Sequence, residues 1–396
     1  IVSKKLKTKL MKKITLGLIL ITCIGLIGKA QWTPIASGSA AKLDAIHFID
    51  SQTGFCAGGF GNTLETTDGG NSWTIGSSQG FRDFGFFDNT FGYGASVVSQ
   101  SMAKTTNGGS SWTSITPPTS NSLWAVSATS ATTAYFVGTG GVLWKTTNGG
   151  LSVSVQNSGT TNLLTDVVFT NTTTGYIVTQ SSGVKKTVNS GTTWSTVYTP
   201  PGGLLTEMFF VDDNIGYVVG SNGLIAKTID AGQSWNNLTS NSIGYLQGIN
   251  FFDADNGVVV GVSGEILLTN DGGITWNSQN SGTSEHLYDV SMLSATSAIV
   301  TGDNGTILKN DNIIIGIEEN TSLLTIKFYP NPTSSQLTIA TDLEVSKISI
   351  IDITGKTVKT ITTNTNTINV ADLSNRIYFI KIITEEGTIT KKFIKQ

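Results

Sequence analysis

Along most of this chain hydrophobic and polar residues alternate in short bursts, each closed by a turn rich in Gly, Asn and Asp. Period-two alternation over such short runs predicts β-strands. The bursts recur as a unit. One phrase, Thr66-Thr67-Asp68-Gly69-Gly70-Asn71-Ser72-Trp73, returns in variants that end at Trp112, Val153, Trp194, Trp235 and Trp276. A second phrase, a small residue followed by an aromatic or aliphatic one, runs from Gly54-Phe55 through Gly216-Tyr217 to Ala298-Ile299. In the fifth unit the pattern predicts four strands, near 207–211, 216–219, 224–228 and 235–238. Four short strands in about 40 residues, repeated many times, make a propeller blade.

The count of units is informative. Seven have the second phrase, but the last has no Trp after Asn310-Asp311, and Trp32 stands one repeat ahead of Trp73. Trp32 therefore takes the missing place. The spacing predicts that residues 31–35 form the outermost strand of the seventh blade and close the ring, which removes an exposed sheet edge. The fold class expected is all-β: a seven-bladed β-propeller over 31–312, followed by a small β-sandwich.

The first thirty residues read as an address. Lys12 and Lys13 precede an apolar run over 14–27, and Gly28-Lys29-Ala30 follows. This is the pattern of a secretory signal peptide, with Met11 as the expected start. Removing it takes seven lysines and no acid, so the net charge moves from −3 to −10. An acidic mature chain disfavours nucleic acid and anionic lipid as partners, and no membrane span is expected in it. Cys56 is then the single cysteine, so stability rests on packing without an internal disulfide.

The phrase S/T-x-D/N-x-G-x-S/T-W resembles the Asp-box (BNR) repeat. Asp68 is followed at its aligned position by Asn107, Asn148, Asn189, Asp230 and Asp271, and Trp73 by Trp112, Trp194, Trp235 and Trp276, with Trp32 completing the set. The side-chain oxygen is expected to accept backbone N–H groups within a hairpin, with Gly supplying positive φ and Trp packing between sheets. These residues are read as structural. The style of the repeat resembles photosystem II assembly-factor-like propellers, and more distantly the sortilin and xyloglucanase types. The photosynthetic role is not expected to carry over, because the propeller has only 8 Lys and Arg against 19 Asp and Glu.

Composition shifts after residue 312. Residues 313–325 read as a linker, and 326–396 as alternating strands of a sandwich. Tyr329-Pro330-Asn331-Pro332, the Gly355-Lys356 turn and the segment around Tyr378 resemble the C-terminal sorting domain of the type IX (Por) secretion system of Bacteroidetes. One departure is Arg376, where the family usually carries glycine. The resemblance implies export, recognition by the type IX machinery, and release or attachment at the outer-membrane surface.

For chemistry, the loops that lead into the innermost strands form one face. Arg82, Asp83, Trp124, Asp166, Glu207, His286, Tyr288 and Asp289 are its candidate ligand-binding residues. At one aligned position Asp83, Asp166, Glu207 and Asp289 place four carboxylates around a channel. They fit either a glycan or cation site, or clamps on neighbouring backbone N–H groups. A sialidase is excluded, since the propeller has a single arginine, Arg82, where that family needs three to hold a substrate carboxylate. Asp253-Ala254-Asp255-Asn256-Gly257 aligns with ordinary hairpin turns, so no metal is expected there, and no cofactor motif is present. The expectation is a secreted or cell-surface binding or scaffold module without catalytic residues, with an extracellular protein or glycan as ligand. The alternatives are a carbohydrate-active hydrolase using Asp166, Glu207 or Asp289, and a surface adhesin.

Overall fold

The computed structural model describes residues 32–58, 61–96, 102–313, 327–341, 345–352, 357–361, 366–384 and 387–396. The expected signal peptide, Gln31, the expected linker beyond Ile313, and Gly355 and Lys356 of the sorting motif lie outside the described residues. The chain divides into two units after Ile313.

Among its described residues the first unit contains seven antiparallel sheets of four strands. Their innermost strands are Ala45–Phe48, Asp83–Phe86, Leu123–Ala128, Leu164–Phe169, Leu205–Phe210, Leu246–Phe251 and Leu287–Ser294, here blades 1 to 7. Each innermost strand touches the next, and that of blade 7 touches that of blade 1, so the cycle closes. Six blades are built from consecutive strands. Blade 7 takes three strands from the end of the unit and its outermost strand, Thr33–Pro34, from the beginning, with Thr33 opposite Lys309 and Pro34 opposite Leu308. Trp32 beside it is 1% exposed. The closure predicted from the Trp spacing is thus formed.

The sequence phrases have direct causes. The second strand of a blade has a sheet on either side. Gly175–Thr179, Gly216–Gly220 and Gly257–Gly261 are buried at every residue, so they read as unbroken apolar runs rather than alternations. The small residue that opens this strand sits directly opposite the last residue of the innermost strand. Phe169 faces Gly175 and Phe210 faces Gly216. A Cβ on Gly175 would lie 2.6 Å from the Phe169 ring. Where the opposing residue is Ala128 or Met292, alanine takes the glycine's place, at Ala134 and Ala298.

The Thr-x-Asp turns close on themselves. Thr66 Oγ1 donates to Asp68 Oδ1 at 2.8 Å and accepts the Gly70 N–H at 2.9 Å. Asp68 Oδ1 also accepts the N–H groups of Asn71 and Ser72. The equivalent N–H donates to Asn107, Asn148, Asn189, Asp230 and Asp271. The Ser72 hydroxyl and these bonds hold the Asp68 carboxyl down at about 2. Trp73, Trp194, Trp235 and Trp276 stand edge-on to the Phe that ends the innermost strand of their own blade.

A further link joins neighbouring blades. Tyr176 Oη and Lys186 Nζ, paired across their strands, both donate to the Ala231 carbonyl in the next blade's turn, at 2.7 and 2.6 Å. Tyr135 with Lys145 serves Ser190, and Tyr217 with Lys227 serves Gly272, in the same way. The accepting residue has positive φ, 57° at both Ser190 and Ala231, which turns its carbonyl toward the preceding blade. At the closing seam Lys309 Nζ reaches Asn71 Oδ1 instead, at 2.8 Å.

The second unit is a sandwich. Lys327–Tyr329, Gln336–Ala340 and Thr367–Asn369 form one sheet; Thr357–Ile361, Val345–Asp352, Ile377–Thr384 and Gly387–Ile394 form the other. Leu337, Ile339, Ile348, Ile350, Tyr378 and Phe393 fill its core. Asn331 of the Tyr-Pro-Asn-Pro phrase holds the last strand, accepting the Ile394 N–H and donating to the Lys392 carbonyl. Arg376 is tied to its neighbours through its side chain. It is not among the positive-φ residues, its Nε donates to Tyr378 Oη at 3.0 Å, and its Nη2 lies 3.8 Å from Asp352.

Candidate functional site

A channel of 710 Å³ runs between the innermost strands of the first unit. Its wall is built of rings, because equivalent residues of the blades stand at one level. The carboxylates prove the level. Asp83 accepts the Phe84 N–H of its own strand and the Val126 N–H of blade 3, both at 2.7 Å. Asp166 accepts Val167 and, from blade 5, Met208, again at 2.7 Å. Asp289 accepts Val290 and, across the closing seam, Ile46 of blade 1 at 2.8 Å. Each of the three therefore has both oxygens engaged by backbone N–H groups.

Glu207 is different. Among the described residues its one hydrogen bond is a long one, 3.4 Å from the Ile249 N–H to Oε1. The Met208 N–H beside it is taken by Asp166. The other oxygen, Oε2, has no partner among the described residues, and it is not among the solvent-sealed polar atoms. It faces the channel that Glu207 lines. Blades 1, 3 and 6 carry Ala45, Ala125 and Gly248 at this level, which leaves the waist open between the carboxyls.

Burial raises all four carboxyls. Asp166 is pushed up to about 6 and Asp289 to about 7. Asp83 and Glu207 are pushed well above the usual carboxylate range, by burial first and then by the charges of the other acids across the channel. The two backbone bonds at each Asp oppose this, and burial outweighs them.

One residue earlier on each strand lies the entrance ring. Blades 4 and 5 place Thr165 and Thr206 there, whose hydroxyls donate to the next blade's Leu205 and Leu246 carbonyls. The remaining blades break the symmetry with Gln247, Tyr288, Asp44, Arg82 and Trp124. All but Gln247 form an arc connected through Lys42. Lys42 Nζ sits 3.7 Å above the Tyr288 ring and bonds Asp44 at 2.6 Å. Arg82 Nη1 bonds the same carboxylate at 2.8 Å, and its guanidinium lies 3.9 Å above the Trp124 indole. Tyr288 Oη bonds Asp303, which lies off the channel wall. Gln180 and Tyr245 complete the entrance. Below the waist stand His47, stacked on Phe86, and Phe209. Burial keeps His47 neutral, with its pKa lowered to about 4.

Of the residues expected at the site, Arg82, Asp83, Trp124, Asp166, Glu207, Tyr288 and Asp289 line this one channel. His286 does not. It is exposed, and its Nδ1 accepts the Ser263 N–H between blades 6 and 7. Lys42, Asp44, Gln180, Tyr245 and Gln247 were missed. Asp44 and Gln247 align with Arg82 and Trp124, so the repeat register held that signal; the other three come from loops where the repeats diverge. Asp253 caps its own turn by accepting the Asp255 and Asn256 N–H groups. Among the described residues no group of three His, Cys, Asp or Glu is placed to hold a metal ion.

Residues 327–396 match the model of the secretion system C-terminal sorting domain. The C-terminal unit is a type IX sorting domain. It directs the chain out of the cell, to the surface or the medium, and no helix among the described residues is long and apolar enough to cross a membrane. A comparison with curated protein sequences gave no match. Among solved structures the chain is similar to YCF48 bound to D1 peptide, at 20% identity and TM-score 0.60, over 72% of this chain and 96% of that one. YCF48 from Cyanidioschyzon merolae is similar at 18% identity and TM-score 0.59, over 70% and 98%. The Niastella koreensis GH74 enzyme is similar at 16% and 0.61, over 91% and 74%. Identities this low establish the propeller fold alone.

Proposed function

We propose that the sorting domain exports a binding module, and that the propeller seats its ligand at the entrance of the central channel without turning it over. The observation that carries this reading is where the repeat symmetry fails. Immediately before the carboxylate level, five blades present Gln247, Tyr288, Asp44, Arg82 and Trp124, and all but Gln247 are joined, with Lys42, by ion pairs and cation–π contacts. Repeats that differ at one ring while sharing their framework have a use for that ring. Aromatic surface, amides and a preorganised guanidinium around a concave entrance suit ligand recognition.

Hydrolysis fits the waist poorly. A glycosidase needs two carboxyls with free oxygens on either side of the scissile bond. Asp83, Asp166 and Asp289 have both oxygens tied to backbone N–H groups, which leaves Glu207 alone. The test is a capture experiment on native culture fluid with the purified full chain, run beside a panel of chromogenic glycosides. The reading expects a binder that Trp124→Ala no longer retains, and no chromophore release. Turnover of any glycoside that is lost in Glu207→Gln or Asp289→Asn would overturn it.

A further inference from the structure

Resting on that reading, we infer that the channel takes a neutral ligand rich in hydroxyl or carbonyl groups, and that Glu207 is the residue that reads it inside the channel. Charge is layered along the channel. At the entrance Lys42 and Arg82 share one carboxylate, Asp44, so that layer carries an excess positive charge on the channel wall. One residue deeper stand four carboxyls. A cation is opposed at the entrance, and at the waist an anion meets carboxyls and no cation to pair with, so a neutral ligand is the one that suits both layers.

The carboxyl oxygens are also used unequally. Asp83, Asp166 and Asp289 spend both carboxyl oxygens on joining blades. Among the described residues Glu207, one methylene longer, makes a single long bond, which leaves Oε2 without a partner in a side chain that lines the channel. Around it stand Asp166, Asp289 and Asp83, with Arg82 and Lys42 at the entrance and neutral His47 below. Burial and the three facing acids keep its proton on, so it offers an O–H donor as well as an acceptor. A hydroxyl or carbonyl oxygen is the partner for that donor. An ammonium group would demand the opposite protonation state.

The experiment uses the full chain at pH 6 with defined probes. The neutral set is gluco-, xylo-, manno- and N-acetylglucosamine oligosaccharides; spermidine and oligogalacturonate are the charged comparators. Binding is read by calorimetry and tryptophan fluorescence. The expected result is that a neutral oligosaccharide binds, about tenfold more weakly in Glu207→Ala and close to wild type in Glu207→Gln, which keeps a donor and an acceptor. Wild-type affinity falls as pH rises through the Glu207 titration, while Glu207→Gln shows no such fall. This pH comparison stands even if Glu207→Ala fails to fold. Binding of a charged comparator alone, binding of none of the probes, or neutral-probe binding untouched in Glu207→Ala each overturns the inference. Binding lost in Trp124→Ala but untouched in Glu207→Ala overturns the inference and leaves the entrance-site reading standing.

Discussion

Replacing Asp166 by Asn should destabilise the propeller in acid and cost little or nothing at alkaline pH. Asp166 is 9% exposed and clamps blade 4 to blade 5. Burial raises its carboxyl from 3.8 to about 6. A raised carboxyl binds its proton more tightly in the folded state, so its contribution to stability is fully present below 3.8 and is lost as pH climbs through 6. A shift of roughly two units corresponds to about 3 kcal/mol. Asn does not titrate, so it avoids that loss. It also has one oxygen where the carboxyl has two, so one buried N–H loses its acceptor, at a cost of about 1–3 kcal/mol at every pH. At pH 4 the variant should therefore be the less stable protein. At pH 8 the two terms nearly cancel, and it should match or slightly exceed wild type. For a unit of this size the swing in relative melting temperature is about 6 °C. All eight tryptophans lie in the first unit, so their fluorescence follows this unit's melting without interference from the sorting domain. A melting difference between variant and wild type that stays constant from pH 4 to 8 would refute the reasoning.

The Thr-x-Asp turns should respond to pH in the opposite sense. The Asp68 carboxyl is held at about 2, so its stabilisation is present above its unfolded value and disappears as pH falls toward 2; Asp68→Ala should lower the melting temperature at pH 7 and make little difference near pH 2. Tyr176→Phe and Lys186→Met should each cost about 1 kcal/mol in chemical denaturation. Together they should cost more than the sum, because the Ala231 carbonyl then loses both donors; strict additivity would show that the two bonds act separately. Trp32→Ala should cost about 3–5 kcal/mol, since it empties a site that is 1% exposed at the closing seam, and an unchanged melting curve would contradict the seam's role. A chain lacking residues 327–396 should stay in the periplasm of a host with type IX secretion, as read by fractionation and immunoblotting.

The propeller was legible because its repeats report constraints that recur in every blade. Gly175 must be small opposite Phe169, and Asp68 must close its own turn. The Trp spacing even located the closing strand, since the hydrophobic site it fills exists whether or not the chain is continuous there. The carboxylate level was legible too, as an alignment of Asp83, Asp166, Glu207 and Asp289. What the alignment did not reveal was that Glu207 differs from the three Asp residues. That difference comes from which N–H each oxygen reaches: Glu207 is one methylene longer, and the Met208 N–H beside it is taken by Asp166. Nor could spacing bring Lys42 onto Tyr288, which lies in another blade. His286 looked eligible by position alone, and its ring nitrogen instead serves a local turn.

The closing seam also sets an order of events. Six blades pair strands that follow one another within some forty residues, and each can form as soon as its segment is available. Thr33 must instead find Lys309, almost the full length of the propeller away. Such a non-local contact carries the largest loop-closure entropy in the unit. The chain's first described strand is therefore expected to be its last to settle, and pulse-labelled hydrogen exchange should find the Ile35 amide, which donates to Ile307, protected after the amides of blades 3 to 5. Until then the ring is an arc with two open ends, and its earliest segment must be kept from pairing elsewhere.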